Sequence, residues 1–324
     1  MLKFVLKRFC IAVFLMLVMS FFTFMLMRMT PGNYLDTMKM DPQISAATLA
    51  HYEKLYHLDN PPLIQYFYWL KNLLRGELGY SFYYNVPVVK IIGGRLWNTF
   101  VLSLSAFLIT WLLAVPLGVW VALNRNRFSD RLVQMLAYIF LSLPGFFVAM
   151  ILLYFASQTG ILPLGGMHSP GYELWPWWQR AGDLAAHLVI PTAALSLASV
   201  AALQRIMRGN MLEELGKQYV LAARARGLPE NRVIYGHALR NALNPLITLL
   251  GYEFAGLLSG AAIMEIITSW PGLGALMLTA VRSKDIYLVM ASMLMGGAMF
   301  LAGNLISDIM LAKCDPRIRL GGKA

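Results

Sequence analysis

The sequence predicts an all-α polytopic membrane protein with about six transmembrane helices, and three observations lead there. Hydrophobic residues make up 58% of the 324 and charged residues only 13%, against roughly 25% charged in a soluble domain. Six apolar stretches free of Lys and Arg come near the ~20 residues that a helix needs to cross ~30 Å of hydrocarbon. The basic residues concentrate in alternate connections between those stretches, the pattern of positively charged cytoplasmic loops. The net charge of +11 therefore belongs to membrane topology, and no nucleic-acid surface is expected, because Lys and Arg flank apolar runs and form no single polar module.

From the N-terminus, the first span is 9–27, preceded by Lys3, Lys7 and Arg8. It is long for the apolar part of a signal peptide and no A-x-A-like cleavage site follows, so it is read as a retained span within residues 1–29. Residues 30–98 are too many for a bare connection and are expected to form an extracytoplasmic subdomain. Leu49, Tyr52, Leu55 and Tyr56 recur there at helical spacing, in a stretch beginning near Ser45. A second stripe, Tyr66, Phe67, Trp69, Leu70, Leu73 and Leu74, either packs on its neighbours and the membrane interface or binds a partner.

Residues 99–312 form the core, with spans at 99–123, 132–155, 188–203, 246–267 and 287–311, and 313–324 form a cytoplasmic tail. Pro116, Pro144 and Pro191 fall inside spans, as gating kinks or as packed bends. Trp175, Trp177 and Trp178, in an external loop, suit interfacial anchoring.

Orientation follows from the basic residues. One side receives Lys3, Lys7 and Arg8, then Arg125, Arg127 and Arg131, then seven between 205 and 240, then four in the tail. The other side has six in 30–98, then Arg180, then Arg282 and Lys284. Both termini are thus expected in the cytoplasm, as an even number of spans requires. Cys10 and Cys314 both fall near that face, where thiols stay reduced, and no disulfide is expected.

The cytoplasmic loop 205–245 is the informative one. A helix over 211–226 is predicted, with Met211, Leu212, Leu215 and Tyr219 on one side, stopped by Gly227. A second helix starts with Pro229 in its first turn and Glu230 complementing the helix dipole, and Pro245 opens the fifth span. Small side chains at the tip, Ala222, Ala223, Ala225 and Gly227, would admit a partner's groove close to the backbone, while Arg224 and Arg226 pair with its carboxylates. The plain alternative is a solvated basic loop.

Tyr219-Val220-Leu221-Ala222-Ala223-Arg224-Ala225-Arg226-Gly227-Leu228, followed by His237-Ala238-Leu239-Arg240-Asn241-Ala242, resembles the EAA-type loop of binding-protein-dependent ABC importers, in the variant of the dipeptide, oligopeptide and nickel permeases. Leu221 and Arg240 stand where the general pattern has Glu and Pro. Further matches run along nearly the whole chain: Thr30-Pro31-Gly32, Leu58-Asp59-Asn60-Pro61-Pro62, Gly76-Glu77-Leu78-Gly79-Tyr80-Ser81, Pro87-Val88, and Glu265 with Trp270-Pro271-Gly272-Leu273-Gly274. The resemblance implies a type I permease core. It implies a related second permease subunit as heterodimer partner, two ABC ATPase subunits that bind ATP and Mg, and an extracytoplasmic solute-binding protein. It also implies a coupling contact at Leu221, Ala222, Ala223, Arg224, Arg226 and Gly227.

The chain is not expected to be an enzyme or to hold a cofactor. Between Gly209 and Lys217 the spacing of a phosphate-binding loop is missed and Gln218 replaces its Ser or Thr, while zincin and nucleophile-elbow motifs are missing. The five histidines, His51, His57, His168, His187 and His237, look scattered and suggest no metal site. Two carboxylates fall within the fifth span. Glu253 faces the solute pathway or the interface, and Glu265, near Pro271 and Gly272, either supports the following turn or contacts cargo. The rival reading is a proton-coupled secondary transporter in which Glu253 and Glu265 form a relay.

Overall fold

The computed structural model describes residues 2–29 and 60–314. The stretch near 45–56, His51, His57, Thr30-Pro31-Gly32 and the tail lie outside the described residues. The described chain is helical nearly throughout. Its helices are α1 (Leu2–Met29), α2 (Pro62–Leu73), α3 (Val88–Leu123), α4 (Phe128–Ser142), α5 (Gly145–Thr159), α6 (Trp177–Leu215), α7 (Gln218–Ala225), α8 (Leu239–Ala242), α9 (Asn244–Ile267), α10 (Leu273–Arg282) and α11 (Ile286–Cys314). A two-residue hairpin, β1 (Tyr80–Ser81) and β2 (Val86–Pro87), pairs antiparallel with Tyr80 opposite Pro87. Five helices are long and apolar enough to cross a membrane, and α4 with α5 makes a sixth if counted as one span.

Four of the expected spans correspond to α1, α3, α9 and α11, and two readings need correction. The span placed at 132–155 is broken into α4 and α5, which diverge by 103°. Pro144 lacks an N–H and disfavours helical geometry in the residue before it, and Leu143 accordingly turns to ψ 127°. Gly145 then comes so close to α6 and α9 that a Cβ there would lie 3.3 Å from the Ala194 carbonyl and 3.1 Å from Met264 Cε. By contrast Pro116 and Pro191 sit inside unbroken helices. The span placed at 188–203 is the middle of α6, whose 39 residues give a length of about 58 Å.

The chain divides into two compact units. One is built on Phe100–Trp270, with short pieces from both ends of the chain. Its centre is α6, which packs against α4, α5 and α9. Contact is tightest at Gly118 of α3, where a Cβ would lie 2.6 Å from Met207 Cβ and 2.9 Å from the Gln204 carbonyl oxygen. Trp270, fully buried, closes the end of α9 with Leu102 and Ala261, its N–H donating to the Glu265 carbonyl at 2.9 Å.

The second unit comprises residues of 6–99 and 271–301. Here the apolar stripe that includes α2 divides. Tyr66 and Trp69 are buried with Phe24, Met290 and Leu294, Leu70 and Leu73 join them, and Phe67 and Leu74 face outward. The Tyr66 hydroxyl is 2.9 Å from Ser20 Oγ, which ties α2 to α1. The hairpin is held to the start of α11 by Asp285. That fully buried carboxylate accepts hydrogen bonds from Ser81 Oγ (2.7 Å), from the Tyr83 N–H (3.1 Å) and from the Leu288 N–H (3.2 Å).

Two outcomes follow from this packing. Gly118→Val should overpack the contact between α3 and α6 at about 1–3 kcal/mol, lowering the melting temperature of the detergent-purified protein by several degrees. Gly94→Ala, where nothing lies within 4 Å, should instead stabilise α3 by about 0.5–1 kcal/mol. At Asp285, burial raises the carboxyl above the ordinary carboxylate range, against the lowering by its hydrogen bonds. The folded state therefore holds the proton more tightly than the unfolded chain, and this group's stabilisation is full in acid and lost as pH rises through its folded value. Asp285→Asn should flatten the fall in melting temperature as pH rises above the ordinary carboxylate range. An unchanged slope would contradict this.

Candidate functional site

The knob formed by α7 is built differently from the helix expected at 211–226. Helix α6 ends at Leu215, Gly216 and Lys217 break it, and α7 begins at Gln218. Lys217 marks the corner: its ammonium lies 2.6 Å from Glu214 and 3.2 Å from Glu213. The hydroxyl of Tyr219 donates to Glu214, and Asn241 Nδ2 donates to Tyr219 at 3.0 Å, which binds the knob to α8. The break turns one face of α7 inward. Val220 and Ala223 join a core made of Leu203, Met207, Met211, Val233, Ile234, Ala238, Ala242 and Leu246.

The opposite face is open. Leu221 is 46% exposed, and Ala222, Arg224 and Arg226 are exposed beside it. Gly227, at φ +76°, ends the helix in the left-handed region that glycine enters without a steric penalty, its N–H donating to the Arg224 carbonyl at 2.9 Å. Arg224 does not reach outward as expected. Its guanidinium pairs with Glu230 across the turn, at 2.6 Å. The hydrogen bond from Arg224 holds the Glu230 carboxyl below the ordinary range, and Glu230 closes the turn as well as standing near the next helix start. From Arg232 to Ala238 the chain forms a π-helical turn before α8.

The two carboxylates of α9 are not brought together. They are twelve residues apart, about 18 Å of helical rise. Glu265 is fully buried. Glu253 is half-buried, hydrogen-bonded to Ser199 of α6, and lines an open cleft of about 400 Å³ with Leu195, Leu249, Tyr252, Gly256 and Leu257. An ionised side chain at the centre of a membrane helix costs about 2.5–3.5 kcal/mol, which favours a polar partner for Glu253 over lipid. In the other unit, the Pro271 carbonyl accepts from Asn98 Nδ2 at 2.8 Å, and the Leu273 N–H, next to the buried Gly272, donates to Thr99 Oγ1 at 2.8 Å.

The profile described as "Binding-protein-dependent transport system inner membrane component" matches residues 114–320, and that of the corresponding N-terminal membrane component matches residues 1–104. The chain belongs to this family. It is 33% identical to the oligopeptide transport system permease protein AppB of Bacillus subtilis (strain 168), over 98% of this chain and 99% of that one. It is 35% identical to the oligopeptide transport system permease protein OppB of Haemophilus influenzae, over 98% of this chain and the whole of that one. To the dipeptide transport system permease protein DppB of Lactococcus lactis it is 33% identical, over 99% of this chain and all of that protein. As a member of this inner-membrane family, the chain is a transport component with apolar helical spans.

Some of the family member's polar contacts were not foreseen from sequence. Asp130, only 3% exposed, accepts two hydrogen bonds from the Arg208 guanidinium, at 2.9 and 2.8 Å, and one from the Asn126 N–H at 2.9 Å. Three residues from Arg208, Arg205 lies over the Tyr138 ring at 4.5 Å. Helix α4 is thus clamped to α6 at two points, Asp130 in its first turn and Tyr138 two turns on. The histidines are also less scattered than expected. His168 and His187 both approach Asp183, at 3.8 and 3.4 Å, and Asp183 accepts from Ser169 Oγ at 2.6 Å. Burial lowers the His168 pKa, opposed by Asp183. Among the described residues no three His, Cys, Asp or Glu side chains are placed to hold a metal.

Breaking a buried ion pair by removing one partner is costly, whereas an exposed pair contributes little. Asp130→Asn should therefore destabilise the purified protein by on the order of 3 kcal/mol, while Arg224→Ala should cost under about 1 kcal/mol. Equal losses in thermal unfolding would contradict the assignment of Asp130 and Arg208 as the structural pair.

Proposed function

We propose that this chain is a permease subunit of an ATP-driven importer of peptides or similar small solutes, in which α7 takes up the closure of separate ATPase subunits. The observation that carries the reading is the two-sided construction of α7. Its exposed face, Leu221 and Ala222 flanked by Arg226 and ended by Gly227, is small and apolar enough to seat in a partner's groove. Its buried face, Val220 and Ala223, shares one core with residues of α3, α6, α8 and α9. A push on a short helix rooted in this way displaces the long helices around it, because a close-packed core transmits strain.

The peptide cargo is supported by the relatives, named as oligopeptide and dipeptide permeases. In this reading ATP and Mg are bound by two ATPase subunits on the cytoplasmic side, where both termini also lie. A related second permease subunit completes the pathway, and a binding protein delivers solute from outside. The pathway runs past Glu253. The turn after Glu265, with Pro271 and Gly272 tied to α3, controls its outer end. Alternating access follows from the knob's displacement of α6 and α9.

The test is association and uptake in the assembled complex. Leu221→Arg, which places a charge in the seated face, and Gly227→Arg, which puts a long charged side chain with a Cβ at positive φ, should leave the chain inserted in the membrane. Both should cut recovery of the ATPase subunits in a pull-down, and ATP-dependent peptide uptake, by about tenfold or more, the effect of a hot-spot contact. Unaltered recovery and uptake in both variants would refute the coupling assignment.

A further inference from the structure

We propose that Glu253 and the cleft it lines form a transient binding site for the primary ammonium group of the transported solute. This rests on the importer reading above and names the chemistry that the pathway recognises. Among the described residues Glu253 takes part in no ion pair, and the side chain that reaches it is the neutral hydroxyl of Ser199. An ionised carboxylate carried on an apolar helix favours a countercharge, and the described residues of its own chain supply none at this place.

The surroundings suit a cation that arrives and leaves. Ser199 fixes the carboxylate at the cleft wall. Tyr252, adjacent in sequence and 58% exposed, offers a ring face for cation–π contact. One turn along α9, Gly256 lines the same cleft with open space where a Cβ would stand, which leaves room beside the carboxylate. Leu195, Leu249 and Leu257 supply apolar walls for the chain that follows the ammonium. The cleft, at about 400 Å³ and open to one side, lies at the small end of ligand pockets. It accommodates the end of a peptide and leaves the rest unbound, so recognition rests on the terminal ammonium. A site on a transport route must also release what it takes, and a single partly exposed carboxylate does so.

The same ammonium or guanidinium chemistry has a second source, a basic side chain of the second permease subunit, and the experiment separates the two. Complete complex with its binding protein is reconstituted in proteoliposomes, and ATP-dependent uptake of trialanine amide is compared with that of its N-acetyl form. Glu253→Gln should lower the ratio of free-amine to acetylated uptake about tenfold, the loss expected for one charge-assisted contact, and Glu253→Asp should restore much of it. Any preference of the binding protein cancels in this ratio, since the same binding protein serves every variant.

In a second measurement, dicyclohexylcarbodiimide labelling of Glu253, read by mass spectrometry on purified complex, should be slowed by trialanine amide and not by the acetylated peptide. An unchanged ratio with no protection overturns the proposal. So does an equal fall for both peptides accompanied by loss of the second permease subunit, which assigns the countercharge to that subunit. If wild-type complex takes up neither peptide when ATP is supplied, the importer reading falls first, and this inference with it.

Discussion

A carboxylate shut among apolar helices must be met by a partner, and Asp130, Asp285 and Glu253 organise much of what surrounds them. Asp130 is met by the forked guanidinium of Arg208, which fixes the first turn of α4 on α6. Asp285 is met by a hydroxyl and backbone N–H groups, which fix the hairpin on α11. Glu253 is met only by Ser199, in a cleft. The first two are closed and structural. The third stands at an accessible place with one neutral partner, and in a medium that solvates ions poorly this difference separates a fastener from a candidate site.

The spans were legible because the hydrocarbon sets a length and forbids unpaired backbone, so a run of about 20 apolar residues has few fates. The break at Pro144 was not. Pro116 and Pro191 have the same local chemistry and leave their helices whole, so proline alone does not decide. Gly145 does, by close approach to Ala194 and Met264, and those neighbours are remote in sequence. The split of the expected helix at 211–226 has a similar origin. Gly216 permits it, and the burial of Val220 and Ala223 in a distant core favours it.

At the site, composition revealed the small exposed tip of α7 but not its anchor. The loop's arginines looked alike in the sequence, yet Arg224 is engaged by Glu230, six residues on, while Arg226 stays exposed. Arg205 and Arg208 contributed to a topological count and turned out to clamp α4 through an aromatic face and a carboxylate. Charge bias reports sidedness, whereas pairing depends on which helices meet.

The π-helical turn at Arg232–Ala238 stands between the knob and α9. Such a turn accommodates one residue more than an α-turn does. Were it to tighten, the surplus residue would pass into the next stretch, and everything downstream would rotate by about 100° and advance by about 1.5 Å. The helix that bears Glu253 lies downstream of this segment, beyond α8 and the turn at Leu243, and such a step would reach it only through those joints.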